Sequence, residues 1–134
     1  MMNLTRLSIS FLLLPTSWHA FAEELPGSIE EAERLADRRP TDQAMVAYNR
    51  NVFMPYWSDK YSHIINRCLR TLPSPDKRYL SIVVVLNRSG RVIKVYRNAD
   101  SNVFLCMNEY LSNDTFPAAP VAPYFAHVKI PFPQ

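Results

Sequence analysis

The chemistry this sequence can offer rests on few side chains: two cysteines, Cys68 and Cys106, and two histidines beyond the N-terminal stretch, His63 and His127. The histidines stand far apart without metal-ligand spacing, so neither points to a bound metal. Asp59 and His63, one helical turn apart, suit a surface pair rather than a reactive one. Only two glycines occur, which excludes a phosphate-cradling loop, and no serine stands in a nucleophile-elbow context. The stretch from Tyr79 to Asn98 holds no Asp or Glu, so no carboxylate pair for glycoside hydrolysis can be set there. The sequence supplies no catalytic and no metal-ligating residue and calls for no cofactor. It reads as a non-enzyme.

The cysteines leave three chemistries open: two inert core thiols, a reactive site, or the halves of one crosslink. The compartment bears on the choice. The chain begins with one charge, Arg6, then the apolar run Leu7 to Leu14, and closes on Ala20-Phe21-Ala22. This is the pattern of a secretory signal peptide cleaved after Ala22. The apolar run is shorter than the ~20 residues a membrane span needs. The expectation is an exported protein beginning at Glu23, with no integral membrane segment. In an oxidising compartment two cysteines in one small domain usually pair. Helical periodicity agrees: Trp57, Tyr61, Ile64 and Cys68 share one face, and Val103, Cys106, Met107, Tyr110 and Leu111 share another. A Cys68–Cys106 bridge is therefore expected, with two separate buried thiols as the alternative. The absence of a Cys-x-x-Cys spacing speaks against a redox site.

The elements that position these residues follow from pattern. Ser28-Ile-Glu-Glu31 is a capping box that opens a short helix ending before Pro40. A second helix is predicted from Thr41 to about Phe53, with Ala44, Tyr48 and Val52 on one stripe. Pro55 interrupts it and starts a third helix carrying Trp57 to Leu69. "TLPSPDKR", residues 71–78, turns the chain. "YLSIVVVL" is apolar on both faces apart from Ser81, as befits a central strand. "NRSG" is a tight turn with Gly90 at positive φ, and "RVIKVYR" returns as an edge strand. The Cys106 helix, a proline-rich connection and a last strand, "YFAHVKIPF", complete the chain. In that strand Tyr124, Ala126, Val128, Ile130 and Phe132 face the core, while Phe125, His127 and Lys129 face outward. The last strand can only lie beside the first, antiparallel to it. The fold class is α+β: a two-layer domain with a three-stranded antiparallel sheet of order 2-1-3 and helices on one face.

Charge is uneven. Residues 23–42 hold seven acidic and three basic side chains, whereas residues 43–134 hold eleven basic and five acidic. Such asymmetry can mark a nucleic-acid binder or an acidic arm over a basic body, and an exported protein suits the second. Here the basic residues scatter over helices and strands without an aromatic platform, so no nucleic-acid partner is expected.

The ordered set "YWSDKYSHIINRCL", "IVVVLNRSGRVIKV", "NVFLCMNEYL", "FPAAPVAP" and "VKIPFPQ" resembles the C-terminal domain of the TolA/TonB family, periplasmic modules of Gram-negative bacteria. The resemblance spans about Tyr56 to Phe132 and divides the chain into a signal peptide (1–22), an N-terminal helical extension (23–54) and a TolA/TonB C-terminal-like domain (55–134). It implies a periplasmic protein-binding module of the cell envelope. Cys106 matches the helix-borne cysteine of TolA-like domains; Cys68 departs, since the family's partner cysteine lies at the first strand. The anchor and long linker of an energy transducer are not expected. Family partners commonly join by strand addition, which points to Tyr124, Phe125, His127, Val128 and Lys129 as a partner-binding edge. Lys129 and Pro131 equally suit an edge blunted against aggregation. An immunity protein or inhibitor of a periplasmic toxin or hydrolase fits the same small, exported, disulfide-bearing chain.

Overall fold

Ser28 caps the first helix, α1 (Ile29–Asp37), by accepting a hydrogen bond from the Glu31 N–H at 3.2 Å. Glu31 reaches back to the Gly27 N–H, a capping box displaced by one residue. A computed structural model of the chain describes residues 24–38, 42–71 and 79–132. The expected signal peptide and nearly all of the 71–78 turn lie outside the described residues.

Helix α2 (Gln43–Tyr48) is capped by Asp42 and continues through a π-helical turn (Asn49–Phe53) into α3 (Met54–Thr71). The expected break at Pro55 is therefore a π-helical turn inside one continuous helical run. Proline has no N–H, so its position cannot complete the i→i−4 ladder. The Met54 N–H bonds instead to the Asn49 carbonyl, five residues back. The extra residue shifts the buried stripe: Ala44 is exposed, while Tyr48, Phe53 and Trp57 enter the core.

Strands β1 (Tyr79–Leu86) and β2 (Val92–Arg97) form an antiparallel hairpin. In its turn the Asn87 side chain accepts from the N–H groups of Ser89 and Arg91. Gly90 has φ +88°, and a Cβ there would lie 1.9 Å from the Phe116 carbonyl oxygen, so only glycine fits. Helix α4 (Asn102–Leu111) follows behind a Ser101 cap, and β3 (Tyr124–Pro131) returns beside β1. The sheet order is β2-β1-β3 with both pairings antiparallel, the 2-1-3 α+β arrangement expected from the sequence.

The main core lies between one sheet face, carrying Leu80, Ile82, Val84 and Leu86, and the helices α2 to α4. Phe53, Trp57, Tyr61 and Phe116 stack within it. In α4, Phe104 joins the core, whereas Tyr110, expected on the inner stripe, is 42% exposed. The helices do not all lie on one face, however. Helix α1 covers the opposite face, where Ala32 packs on Val83, Val85 and Tyr96, with Ile29, Ala36 and Phe125 against them. A strand apolar on both faces needs cover on both.

Cys68, at the last turns of α3, and Cys106, in the middle of α4, form a disulfide with a Cα–Cα distance of 5.9 Å. It staples the two helices of the main layer. Among the described residues no helix is long and apolar enough to cross a membrane, and no His, Cys, Asp and Glu side chains group as a metal site.

Candidate functional site: the open edge of the third strand

The sheet's hydrogen-bond phase determines what the free side of β3 offers. Ser81 accepts at its carbonyl from the Asn98 N–H and donates its own N–H to the Asn98 side chain, so both backbone groups of Ser81 turn toward the β2 side. Along an antiparallel strand this direction alternates. Leu80, Ile82, Val84 and Leu86 therefore turn their backbone groups toward β3, to their partners Ile130, Val128, Ala126 and Tyr124. It follows that Phe125, His127 and Lys129 direct their N–H and C=O groups away from the sheet. These three residues form the open edge.

The edge does not stand bare. A groove of about 580 Å³ runs along it, lined by consecutive residues Pro123 to His127. Leu35 and Ala36 of α1 line one side of the sheet plane; Met45 and Val46 of α2 line the other. The Tyr124 hydroxyl donates to Asn49 of the π-helical turn at 2.7 Å, which ties the start of the strand to that wall. Burial pushes the Tyr124 hydroxyl's pKa well above the ordinary tyrosine value. It therefore stays a donor in this bond.

His127 anchors the other wall. Its Nδ1 lies 2.8 Å from Asp37 and its Nε2 2.7 Å from Ser81 Oγ, with Glu33 at 3.5 Å. Ser81 Oγ in turn donates to Glu33. A serine, a histidine and a carboxylate at such distances could form a nucleophilic triad. Burial argues against that here: Ser81 is 1% exposed beneath α1, and its hydroxyl is shared between His127 and Glu33. The cluster instead fastens an acidic helix to the sheet. His127→Ala should accordingly loosen α1: amide hydrogen exchange at Ala32 and Glu33 should quicken about tenfold, from the loss of hydrogen bonds worth ~1 kcal/mol or more. Unchanged exchange there would show that apolar packing alone holds the helix.

The five residues expected at the edge thus divide. Tyr124 and Val128 point their side chains into the core and their backbone groups at β1. Phe125 is half-buried against α1. The His127 side chain is only 10% exposed, not on an open outer face. Lys129 alone is an exposed side chain, its Nζ 5.8 Å from the Tyr79 ring centre. Asp59 and His63 are both exposed on α3. Sequence reading missed Glu33, Asp37, Ser81 and Asn49. The lone serine in an otherwise apolar strand, and two carboxylates one helical turn apart in α1, were the available signals.

Comparison with known proteins adds no relative: no family model matches the chain, and no curated protein or solved structure matches it.

Proposed function

We propose that the chain is an exported, non-enzymatic protein-binding module of the TolA/TonB C-terminal type, acting in the periplasm. What carries this reading is the set of outward backbone groups on Phe125, His127 and Lys129, the first two of them at the base of a groove. Unpaired strand edges recruit extended segments of other chains by adding a strand. The disulfide suits an oxidising compartment, and the ordered motifs from Tyr56 to Phe132 support the family reading. Protein recovered from the periplasm should begin at Glu23; an intact Met1 in a membrane fraction would contradict export with cleavage.

The strand phase supplies a test of docking. Lys129→Pro removes an outward N–H and leaves the β1 ladder whole, so the fold should persist while affinity capture of envelope proteins falls by about tenfold, the scale of losing one or more ladder bonds. Val128→Pro removes an inward N–H and should unfold the sheet instead. If Lys129→Pro folds and captures the same proteins as the native chain, the partner docks elsewhere. Capture of one degradative enzyme, tightly and at another surface, would favour the inhibitor reading.

A further inference from the structure

The groove has a chemical character that the bare strand edge lacks, and the N-terminal extension supplies it. Both walls come from residues before Met54, outside the stretch that carries the family resemblance. Although the segment from Glu23 to Asp42 is acidic as a whole, its acids are not what the groove offers. Asp37, the carboxylate at the rim, is engaged by His127. The remaining charges lining the groove are Arg38, from the end of α1, and Arg50, from the π-helical turn. Both are exposed, and among the described residues neither guanidinium meets a carboxylate. Apart from His127, the other lining residues carry no ionisable acid or basic group beyond the Tyr124 hydroxyl.

An extended segment laid beside β3 would send successive side chains alternately to the two walls. On the α1 side they meet Leu35, Ala36, Arg38 and Asp37, the last held by His127; on the α2 side they meet Met45, Val46, Asn49 and Arg50. Each wall thus combines an apolar surface with one unpaired guanidinium, a group suited to bidentate pairing with carboxylates. A second copy of this chain is a poor occupant, because the β3 strand it would lay here carries His127 and Lys129 and no carboxylate.

Resting on the strand-addition reading, we infer that the groove takes an acidic, apolar segment of a partner protein in extended form, with carboxylates on both faces of the added strand paired to Arg38 and Arg50. Such a segment carries Asp or Glu near Val, Ile, Leu or Thr at both odd and even positions, and no central proline.

Selection of short random peptides displayed on phage against the intact exported chain tests this. The enriched peptides should share that composition, and each should shift the amide resonances of Phe125 and His127. Their affinity should fall about tenfold or more in the Arg38→Glu/Arg50→Glu variant, and also at high salt. Both arginines are exposed, so the variant should keep its fold, which an unchanged amide spectrum elsewhere verifies. Peptides that shift the same amides but lack acids, or that bind the variant equally well, would overturn the charge selection and leave strand addition standing. Peptides that shift no β3 amide, or a selection that enriches none, would overturn both. Shifts that follow the protein's own concentration without peptide would show that a second copy occupies the edge, against the inference.

Discussion

Alkylation of the native, unreduced protein should leave Cys68 and Cys106 unmodified, and Cys106→Ala should lower its stability by about 3–4 kcal/mol. The bridge closes a span of 38 residues, and on the chain-entropy account a loop of that size confers roughly 4 kcal/mol by restricting the unfolded chain. For a domain whose whole stability is on the order of 5–15 kcal/mol, this is a large share. The effect has a structural target. Helix α4 joins the body through Val103, Phe104, Met107 and Leu111, and the disulfide fixes its mid-point to α3. Urea unfolding of the variant should show a lower midpoint with the main core otherwise intact. Labelling of both cysteines without reduction would refute the crosslink.

Asp114→Ala should be the next most damaging change, costing about 3 kcal/mol. Asp114 is almost wholly buried and accepts from Lys60 Nζ at 2.8 Å, the Tyr61 hydroxyl at 2.7 Å, the Tyr56 hydroxyl at 3.1 Å and the Thr115 N–H at 2.8 Å. It ties the loop after α4 to α3. Removal leaves the Tyr61 hydroxyl buried without this acceptor, while Lys60, partly exposed, can turn to water. That escape places the cost at the lower end of the 3–5 kcal/mol typical of a broken buried pair, about 3 kcal/mol. The pH dependence has a definite sign. Burial pushes the Asp114 carboxyl up, but the bonds from Lys60, Tyr61, Thr115 and Tyr56 outweigh it and hold the group below its ordinary 3.8. A carboxyl depressed in the folded state contributes stability that is complete above the unfolded value and is lost as pH falls through the folded one. Stability of the native protein should therefore decline below about pH 4 more steeply than that of Asp114→Asn. Parallel curves would remove Asp114 from the acid response.

The fold was legible wherever one local rule met no competitor. The β1–β2 hairpin follows from a β-branched run, a polar turn and Gly90, and the sheet order follows once β3 must lie beside β1. Pro55 misled because proline normally breaks or starts a helix, whereas here a π-helical turn absorbs the missing donor. Tyr110 misled because periodicity places it near the inner stripe without fixing the rotation of α4. The position of α1 was half-legible. The apolar character of β1 on both faces called for two covers, but the acidic helix sets only Ile29, Ala32, Leu35 and Ala36 among its charges and so reads as solvated. His127 was misplaced for the same reason: without α1 over it, an outward histidine on an edge strand faces solvent. The alternation of β3 correctly separated core from outer side chains, yet side-chain alternation says nothing about which backbone groups are free. That needed the hydrogen-bond phase revealed at Ser81.

Docking by strand addition at β3 has a signature at every amide of that strand. Amide hydrogen exchange of the protein, alone and with a captured partner, tests it residue by residue. Binding by strand addition should slow exchange at Phe125, His127 and Lys129, whose N–H groups point outward, and leave Ala126 and Val128, already bonded to β1, nearly unchanged. Protection confined to α3, α4 or β2, with those three amides unaltered, would contradict it.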